Sequence, residues 1–170
     1  MFEPFEDNRE NKTPCKPKIA LFVCTGNTYR SPMAEAIFND IVKGLPWKGE
    51  SAGLAAFDGD YAMPQAEGAA FELGLDLTAH RSRRLNQQMV ERVDLIISMT
   101  ENHKARIAQL YPESEEKLLC LKDIGGDDIP DPFGSQLETY INVAYDIKDS
   151  LEEIRDFLTA FTGKEEAKEK

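Results

Sequence analysis

A cysteine and an arginine six positions apart enclose a short polar loop near the start of the sequence. Cys24 is a nucleophile once it is ionised, and Arg30 offers a planar fork of donors that matches two oxygens of a phosphate group. The other residues of the loop supply backbone amides that can surround an anion, and they are Thr25, Gly26, Asn27, Thr28, Tyr29 and Ser31. The pattern predicts a site that binds a phosphoryl group and attacks it.

The segments on either side place this loop between a strand and a helix. Residues 18–23 are almost wholly apolar, as expected of a strand buried in a parallel sheet. After the loop, apolar residues recur at helical spacing from Met33 to Ile41, with Ser31 suited to the N-cap and Pro32 to the first helical position. The free amides of a helix N-terminus favour an anion, whether a phosphate or a thiolate. A Walker-type nucleotide loop fits less well, because no Gly-Lys-Ser or Gly-Lys-Thr follows.

The rest of the chain alternates apolar strands with amphipathic helices, which predicts an α/β fold. The expected architecture is a single three-layer domain, in which helices flank a four-stranded parallel sheet. The further predicted strands are 50–56, 94–99 and 117–121, and the further predicted helices are 64–73, 86–93, 101–110 and 137–161. This domain is expected to span 18–163, between a polar N-terminal extension, 1–17, and a charged C-terminal tail, 164–170, both without regular structure.

Composition and charge indicate a single compact domain and argue against several kinds of binding partner. The sequence has 170 residues, enough for one sizeable core, and its 31 acidic and 20 basic residues give a formal charge of −11. That charge argues against binding to nucleic acid or to an anionic membrane surface. No stretch is long enough to span a membrane and the first residues do not resemble a signal peptide, so we expect a cytoplasmic protein. We also expect a monomer or a weak oligomer. Three cysteines form neither a disulfide framework nor a zinc pattern, so no metal and no cofactor are expected.

The loop and a second motif far along the chain together resemble the low-molecular-weight protein tyrosine phosphatases. That family has Cys-x5-Arg-Ser near its N-terminus and Asp-Pro near its C-terminus, and here the second motif is Asp131-Pro132-Phe133-Gly134. The likeness extends from about residue 18 to about residue 161 and includes Ser51-Ala52-Gly53. It implies a metal-independent phosphatase that acts on phosphorylated protein side chains.

Asp131 is the candidate for the acid that this chemistry needs at the leaving group. Pro130 and Pro132 restrict the backbone on both sides of it. From the residues alone, Asp131 is equally a turn residue, and three nearby carboxylates compete for the role: Asp123, Asp127 and Asp128. The match to the family's Asp-Pro motif favours Asp131.

The resulting hypothesis is a two-step reaction. Cys24 attacks phosphorus, Arg30 and the loop amides hold the oxygens, and Asp131 protonates the departing group. Asp131 then deprotonates the water that hydrolyses the phosphocysteine. The resemblance further implies that the Ser31 hydroxyl donates to the sulfur of Cys24.

Other site residues are implied by the resemblance alone. Asn27, Ser51 and His80 resemble a hydrogen-bond network that holds the phosphate loop in shape. From the sequence by itself, His80 is better interpreted as a surface histidine in a basic segment. His103 is interpreted as a residue of an exposed helix with no role in the site.

The residues at the entrance of the loop bear on the choice of substrate. Threonine at position 28 and phenylalanine at position 133 resemble the bacterial protein arginine phosphatases, a subgroup of the family. Phosphoarginine is therefore slightly favoured, and phosphotyrosine stays the alternative. Tyr29 departs from the subgroup, which often has a second cysteine there, so a disulfide switch within the loop is not expected.

Two further classes fit the residues less well. An arsenate reductase of this fold needs additional cysteines, and only Cys15 and Cys120 lie outside the loop. A non-catalytic module that binds phosphorylated proteins needs neither a nucleophile nor an acid, yet Cys24 and Asp131 are both present.

Overall fold

Four parallel strands form the centre of the molecule in the computed structural model, which describes residues 15–168 and their side chains through residue 161. They are β1 (Lys18–Cys24), β2 (Trp47–Gly53), β3 (Leu95–Ser98) and β4 (Leu118–Cys120), in the order β2-β1-β3-β4. Because β1 pairs with β2 on one side and with β3 on the other, it lies inside the sheet. All its residues after Lys18 are buried, which explains its continuous apolar sequence. The predicted four-stranded parallel sheet is confirmed.

Helices cover both faces of this sheet and make it the middle of three layers. They are α1 (Arg30–Ile41), α2 (Pro64–Glu72), α3 (Gln87–Arg92), α4 (Glu101–Leu110), α5 (Leu137–Leu151) and α6 (Ile154–Lys168), with short 3₁₀ helices at Pro112–Lys117 and Leu121–Asp123. Alternate residues of β1 point to opposite faces. Phe22 and Cys24 lie in the core with α1, α2, α5 and α6, whereas Leu21 and Val23 lie in the core with α3 and α4. In the part of the chain that is described, no helix is long and apolar enough to cross a membrane.

The strand β2 lies closer to the N-terminus than predicted. It begins at Trp47 rather than at residue 50 and ends at Gly53 rather than at residue 56. The amides of Leu54 and Ala55 bond the carbonyls of Cys24 and Thr25, each at 2.9 Å, instead of continuing a strand. The chain after β2 therefore turns onto the loop that follows β1.

The start of the first helix also differs from the prediction. Helix α1 begins at Arg30 and is preceded by Tyr29, which makes no side-chain cap hydrogen bond, so Ser31 is not the N-cap. The Ser31 hydroxyl is instead buried and engaged with the side chains of the loop. Its polarity serves the loop and not the helix end.

The predicted last helix is in fact two helices. The amide of Glu152 bonds the carbonyl of Asp149, three residues back, and this tighter turn separates α5 from α6. The apolar stripe continues across the break, since Leu151 and Ile154 are both fully buried. Helix α6 runs to Lys168, so the prediction of an irregular tail from residue 164 is wrong as far as that residue. The predicted extension falls mostly on residues 1–14, which lie outside the described residues, as do 169–170.

Candidate active site

The thiol of Cys24 lies at the carboxyl end of β1, where it is almost fully buried. The Ser31 hydroxyl is 2.9 Å from its sulfur, and the amide of Asn27 donates to the sulfur at 3.3 Å. The Asn27 side-chain amide donates to Ser31 Oγ at 2.8 Å, so the hydroxyl proton has two acceptors in reach, the sulfur at 2.9 Å and the Ala52 carbonyl oxygen at 3.5 Å, and the shorter contact favours the sulfur. Two donors therefore converge on Cys24, as a thiolate requires.

The loop owes its shape largely to Asn27. This residue is fully buried and has a φ of 55°, in the left-handed region that asparagine tolerates better than most residues. Its carbonyl lies 2.8 Å from His80 Nε2, and its Oδ1 accepts the amide of Arg83 at 2.9 Å. His80 is thus half-buried against the loop, so its interpretation as a surface histidine is wrong.

Ser51 is connected to the loop less directly than the resemblance implied. Its hydroxyl donates to Glu35 on α1, and its carbonyl accepts the Arg83 guanidinium at 3.1 Å. Because the Arg83 amide binds Asn27, Arg83 joins Ser51 to the loop. Burial raises the pKa of Glu35, against the hydrogen bond from Ser51 and the positive charges nearby. No pattern in the sequence marks Arg83 or Glu35 as part of this site.

Arg30 reaches from the first position of α1 into the site and is only 4% exposed. Its Nη1 donates to the carbonyl of Ile129 at 3.2 Å, and its Nη2 lies 3.5 Å from Asp131 Oδ2. Its Nε is buried and has no hydrogen-bond partner among residues 15–168. A buried guanidinium N–H without a partner is unfavourable, and an anion bound in the loop would satisfy it.

Asp131 faces this arginine from the segment before α5. Its Oδ1 accepts the Tyr29 hydroxyl at 2.6 Å and the Phe133 amide at 3.0 Å. Partial burial acts to raise the pKa of Asp131, but these two hydrogen bonds and the charge of Arg30 outweigh it and hold the pKa below its ordinary value. The fold therefore brings Asp131, from a distant part of the chain, to the loop that carries Cys24 and Arg30.

The competing aspartates have other contacts. Asp123 Oδ2 accepts the amide of Cys120 at 2.8 Å, and Asp128 Oδ1 accepts the amide of Glu101 at 3.0 Å. Asp127 lines a surface cavity beside α5. These contacts give none of the three the place that Asp131 has beside Arg30.

His103 is buried on α4, so the prediction of an exposed position is wrong. Its Nε2 lies 2.9 Å from Thr25 Oγ1, and its Nδ1 lies 3.0 Å from Oγ1 of Thr100, the N-cap of α4. Burial and the charge of Arg30 lower the pKa of His103 to about 4, so the ring is neutral near pH 7. The ring joins the loop to α4, a contact that a lone histidine 78 positions from Thr25 does not reveal in the sequence.

The entrance residues and one glycine complete the site. Thr28 is half-buried and its carbonyl accepts the amide of Met63 at 2.8 Å, whereas the Phe133 side chain is 71% exposed. At Gly53 an added Cβ would lie 2.6 Å from the carbonyl oxygen of Thr25 and 2.9 Å from the amide of Asn27. Glycine is thus the only residue type at position 53 that allows the chain after β2 to pack on the loop.

Comparison with known proteins agrees with this geometry. The family model of the low molecular weight phosphotyrosine protein phosphatases matches residues 19–166. A protein-arginine-phosphatase of Bacillus subtilis is 40% identical over 139 residues, covering 79% of this chain and 89% of that protein. The low molecular weight protein-tyrosine-phosphatase Wzb of Escherichia coli is 36% identical over 124 residues, covering 72% and 83%.

Among solved structures, the YwlE arginine phosphatase in a cysteine-to-serine form with a phosphorylated active-site serine superimposes with a TM-score of 0.78. It is 36% identical, and the match covers 83% of this chain and 95% of that one. The family resemblance expected from the two sequence motifs is confirmed. This chain belongs to the low molecular weight phosphotyrosine protein phosphatase family.

Proposed function

We propose that this protein is a metal-independent, cytoplasmic phosphatase that hydrolyses phosphorylated side chains of proteins through a phosphocysteine, with phosphoarginine preferred to phosphotyrosine. The observation that carries the proposal is the convergence of the Cys24 thiol, its donors Ser31 and Asn27, and the facing pair Arg30 and Asp131. A module that only binds phosphate has no need of a buried thiol with two donors or of a facing carboxyl group.

In the first half of the reaction, the Cys24 thiolate attacks phosphorus and the bond from phosphorus to the leaving nitrogen or oxygen breaks. Arg30 holds two phosphoryl oxygens, and its Nε, which none of the described residues binds, is available for one of them. Asp131 gives its proton to the leaving atom. The negative charge of the bound phosphoryl group raises the pKa of Asp131, which favours the protonated form when it is needed.

In the second half, a water molecule attacks the phosphocysteine and gives a proton to the ionised Asp131. The bond between sulfur and phosphorus breaks, and Cys24 leaves as a thiolate. The Ser31 hydroxyl, 2.9 Å away, stabilises the charge that returns to the sulfur. The phosphorylated active-site serine in the cysteine-to-serine form of the similar arginine phosphatase supports a phosphorylated residue at this position.

The preference for phosphoarginine rests on Thr28 and on the relatives. The Thr28 side chain stands at the half-buried wall of the loop, where a hydroxyl can bond a guanidinium or the attacking water. The relatives at 40% and 41% identity are named as protein-arginine-phosphatases. Phosphotyrosine is the second candidate, because Phe133 presents an exposed ring beside Asp131 and a relative at 36% identity is named as a tyrosine phosphatase.

Phosphate release in the presence of EDTA tests this proposal, with phosphoarginine and phosphotyrosine peptides of matched sequence. We expect release from both peptides, faster from phosphoarginine, and a loss of roughly 10³-fold or more in Cys24→Ser, because the nucleophile is gone. Thr28→Val removes the hydroxyl and keeps the shape, so it should reduce the preference as much as Thr28→Ile does.

Other outcomes point elsewhere. A preference for phosphotyrosine that neither Thr28 variant changes would make this a tyrosine phosphatase. Tight binding of phosphopeptides without release would indicate a binding module. Thioredoxin-dependent turnover of arsenate would indicate a reductase, although β3 lies between the strands that carry Cys24 and Cys120.

A further inference from the structure

Tyr29 connects the phosphate loop directly to the carboxyl group of Asp131. Its hydroxyl donates to Asp131 Oδ1 at 2.6 Å across 102 positions of sequence. The ring is only 9% exposed and packs edge-on against the ring of Tyr140, with the centroids 5.8 Å apart. The Arg30 guanidinium carbon lies 5.7 Å from the centroid of the Tyr29 ring. Tyr29 is therefore fixed on several sides, and its hydroxyl has a defined position.

We propose that Tyr29 is a positioning residue for Asp131. The Tyr29 hydroxyl orients the carboxyl group of Asp131 so that Oδ2 is the oxygen that exchanges a proton with the leaving group. This inference rests on the proposed function, because it concerns the acid of that reaction. It assigns to the loop a second task besides the binding of phosphate.

The assignment of Oδ2 follows from the donors around the carboxyl group. Oδ1 already accepts two hydrogen bonds, from the Tyr29 hydroxyl and from the Phe133 amide. Within the described residues, Oδ2 has only the long contact of 3.5 Å with Arg30 Nη2. A proton on Oδ1 would point toward the two donors, the Tyr29 hydroxyl and the Phe133 amide, which is unfavourable. A proton on Oδ2 faces no donor once Arg30 turns to a bound phosphoryl group. When Asp131 is protonated, its proton is therefore on Oδ2.

Tyr29 acts only as a donor. Burial, and then the hydrogen bond to Asp131, raise the pKa of Tyr29 far above its ordinary value, so the hydroxyl stays protonated. The other titratable or charged groups with an electrostatic influence on this pair are Arg30 on α1, His103 on α4, Tyr140 on α5 and Cys24 on β1. Loss of the hydroxyl removes a donor that favours the ionised carboxylate, so Tyr29→Phe should raise the pKa of Asp131.

Tyr140 provides the matched control. It packs against Tyr29 and is fully buried, but its hydroxyl has no hydrogen-bond partner in the described part of the chain. Tyr140→Phe therefore removes the same atom next to the same ring without removing a hydrogen bond. We expect it to leave catalysis unchanged and thermal stability unchanged or slightly higher.

The first test compares kcat/KM for phenyl phosphate, which has a poor leaving group, with that for 4-nitrophenyl phosphate, which has a good one. Tyr29→Phe should lower kcat/KM roughly tenfold for phenyl phosphate and much less for 4-nitrophenyl phosphate, because only the poor leaving group needs a well-placed acid. In an Asp131→Asn background the same substitution should cause no further loss, since the two residues act as a unit. An equal loss on both substrates, or a full further loss without Asp131, would overturn the inference.

The second test does not depend on activity. The pKa of the Asp131 carboxyl group, measured by carbon-13 NMR on the whole chain, should rise in Tyr29→Phe and stay unchanged in Tyr140→Phe. An Asp131 pKa that Tyr29→Phe leaves in place would overturn the inference even if the protein is a phosphatase. If the wild-type protein releases no phosphate that depends on Cys24, the proposed function fails, and the titration still decides whether Tyr29 controls this carboxyl group.

Discussion

At the scale of single residues, the site depends on buried polar side chains that each hold two partners. Asn27 binds Ser31 through its amide nitrogen and the Arg83 backbone through its amide oxygen. His103 binds Thr25 of the loop through one ring nitrogen and Thr100 through the other. Such side chains stabilise the fold only while both partners are satisfied and the group stays in the right protonation state. The neutral form of His103 is therefore a condition for the observed loop.

His103 predicts a specific dependence of stability on pH. Its pKa is about 4 in the folded protein and about 6.5 when it is exposed to solvent, so below pH 6.5 the unfolded state binds a proton that the folded state does not. Stability that is fully present above pH 6.5 should be lost as the pH falls toward 4, by about 3 kcal/mol from this group. The free energy of unfolding from urea titrations between pH 4 and pH 8 measures this loss.

His103→Gln is the variant that isolates the effect. Glutamine can replace the two hydrogen bonds in part but does not titrate, so the variant should lose less stability than the wild type between pH 6.5 and pH 4. Its deficit at pH 8, where the histidine is neutral, reports the loss of packing and hydrogen bonding alone. A variant whose stability falls with pH as steeply as that of the wild type would show that His103 does not carry this dependence.

At the scale of elements, the phosphate loop is supported by the segments that follow β2. The carbonyls of Cys24 and Thr25 accept amides from residues 54 and 55, and Gly53 bonds the segment around Arg83 through its own amide and carbonyl. That segment in turn binds Asn27. The backbone of the loop is thus hydrogen-bonded to the chain after β2, which is in turn bonded to the segment around Arg83, and Gly53 sets the distance between them.

Gly53→Ala should therefore damage the site more than the fold. The new Cβ would lie 2.6 Å from the Thr25 carbonyl oxygen, which is backbone and cannot move without the loop. We expect a destabilisation of about 1–3 kcal/mol and a fall in kcat/KM of roughly 10²-fold, because small displacements of positioned groups are costly in catalysis. Thermal unfolding and phosphate release on the same samples measure the two effects.

Gly49→Ala on the same strand serves as the comparison. Its Cβ would meet the Phe38 side chain at 2.9 Å and the Glu35 carbonyl oxygen at 3.3 Å, both on α1, and no backbone atom of the phosphate loop is among its nearest contacts. The variant should therefore lose stability while its folded fraction keeps most of its kcat/KM. Normal activity in Gly53→Ala, or an equal loss of activity in both variants, would refute the idea that Gly53 sets the position of the loop.

Across the whole molecule, the sequence predicts correctly those elements whose burial produces a continuous or periodic run of apolar residues. The residues of β1 are apolar because both faces of the strand are covered, so a single run identified it. The break between α5 and α6 has no signal in the sequence, because the apolar stripe passes through it without interruption. The limits of β2 are not visible in the sequence, because Lys48 and Gly49 interrupt its apolar character and its register is fixed by pairing with β1.

The residues of the site also divide into those that a local sequence pattern marks and those that only the tertiary structure reveals. Cys24, Arg30 and Asp131 are noticeable in the sequence because the first two lie in one short loop and the third in an Asp-Pro motif. The burial of His103 cannot be predicted from the sequence, because its partner Thr25 lies far away in the chain and no local pattern indicates such a pairing. The contact between Tyr29 and Asp131 was invisible for the same reason. Side chains that act through the tertiary structure need the structure to be found.

Rapid-quench mass spectrometry can detect the transfer of a phosphoryl group to Cys24. The protein is mixed with excess 4-nitrophenyl phosphate, quenched within the first turnover and digested. We expect a phosphoryl group on the peptide that contains Cys24, together with a burst of 4-nitrophenol that matches the enzyme concentration, and a longer-lived adduct in Asp131→Asn, which lacks the base for hydrolysis. Steady turnover with neither a burst nor a phosphorylated Cys24 in either protein would show that the reaction does not pass through a phosphocysteine.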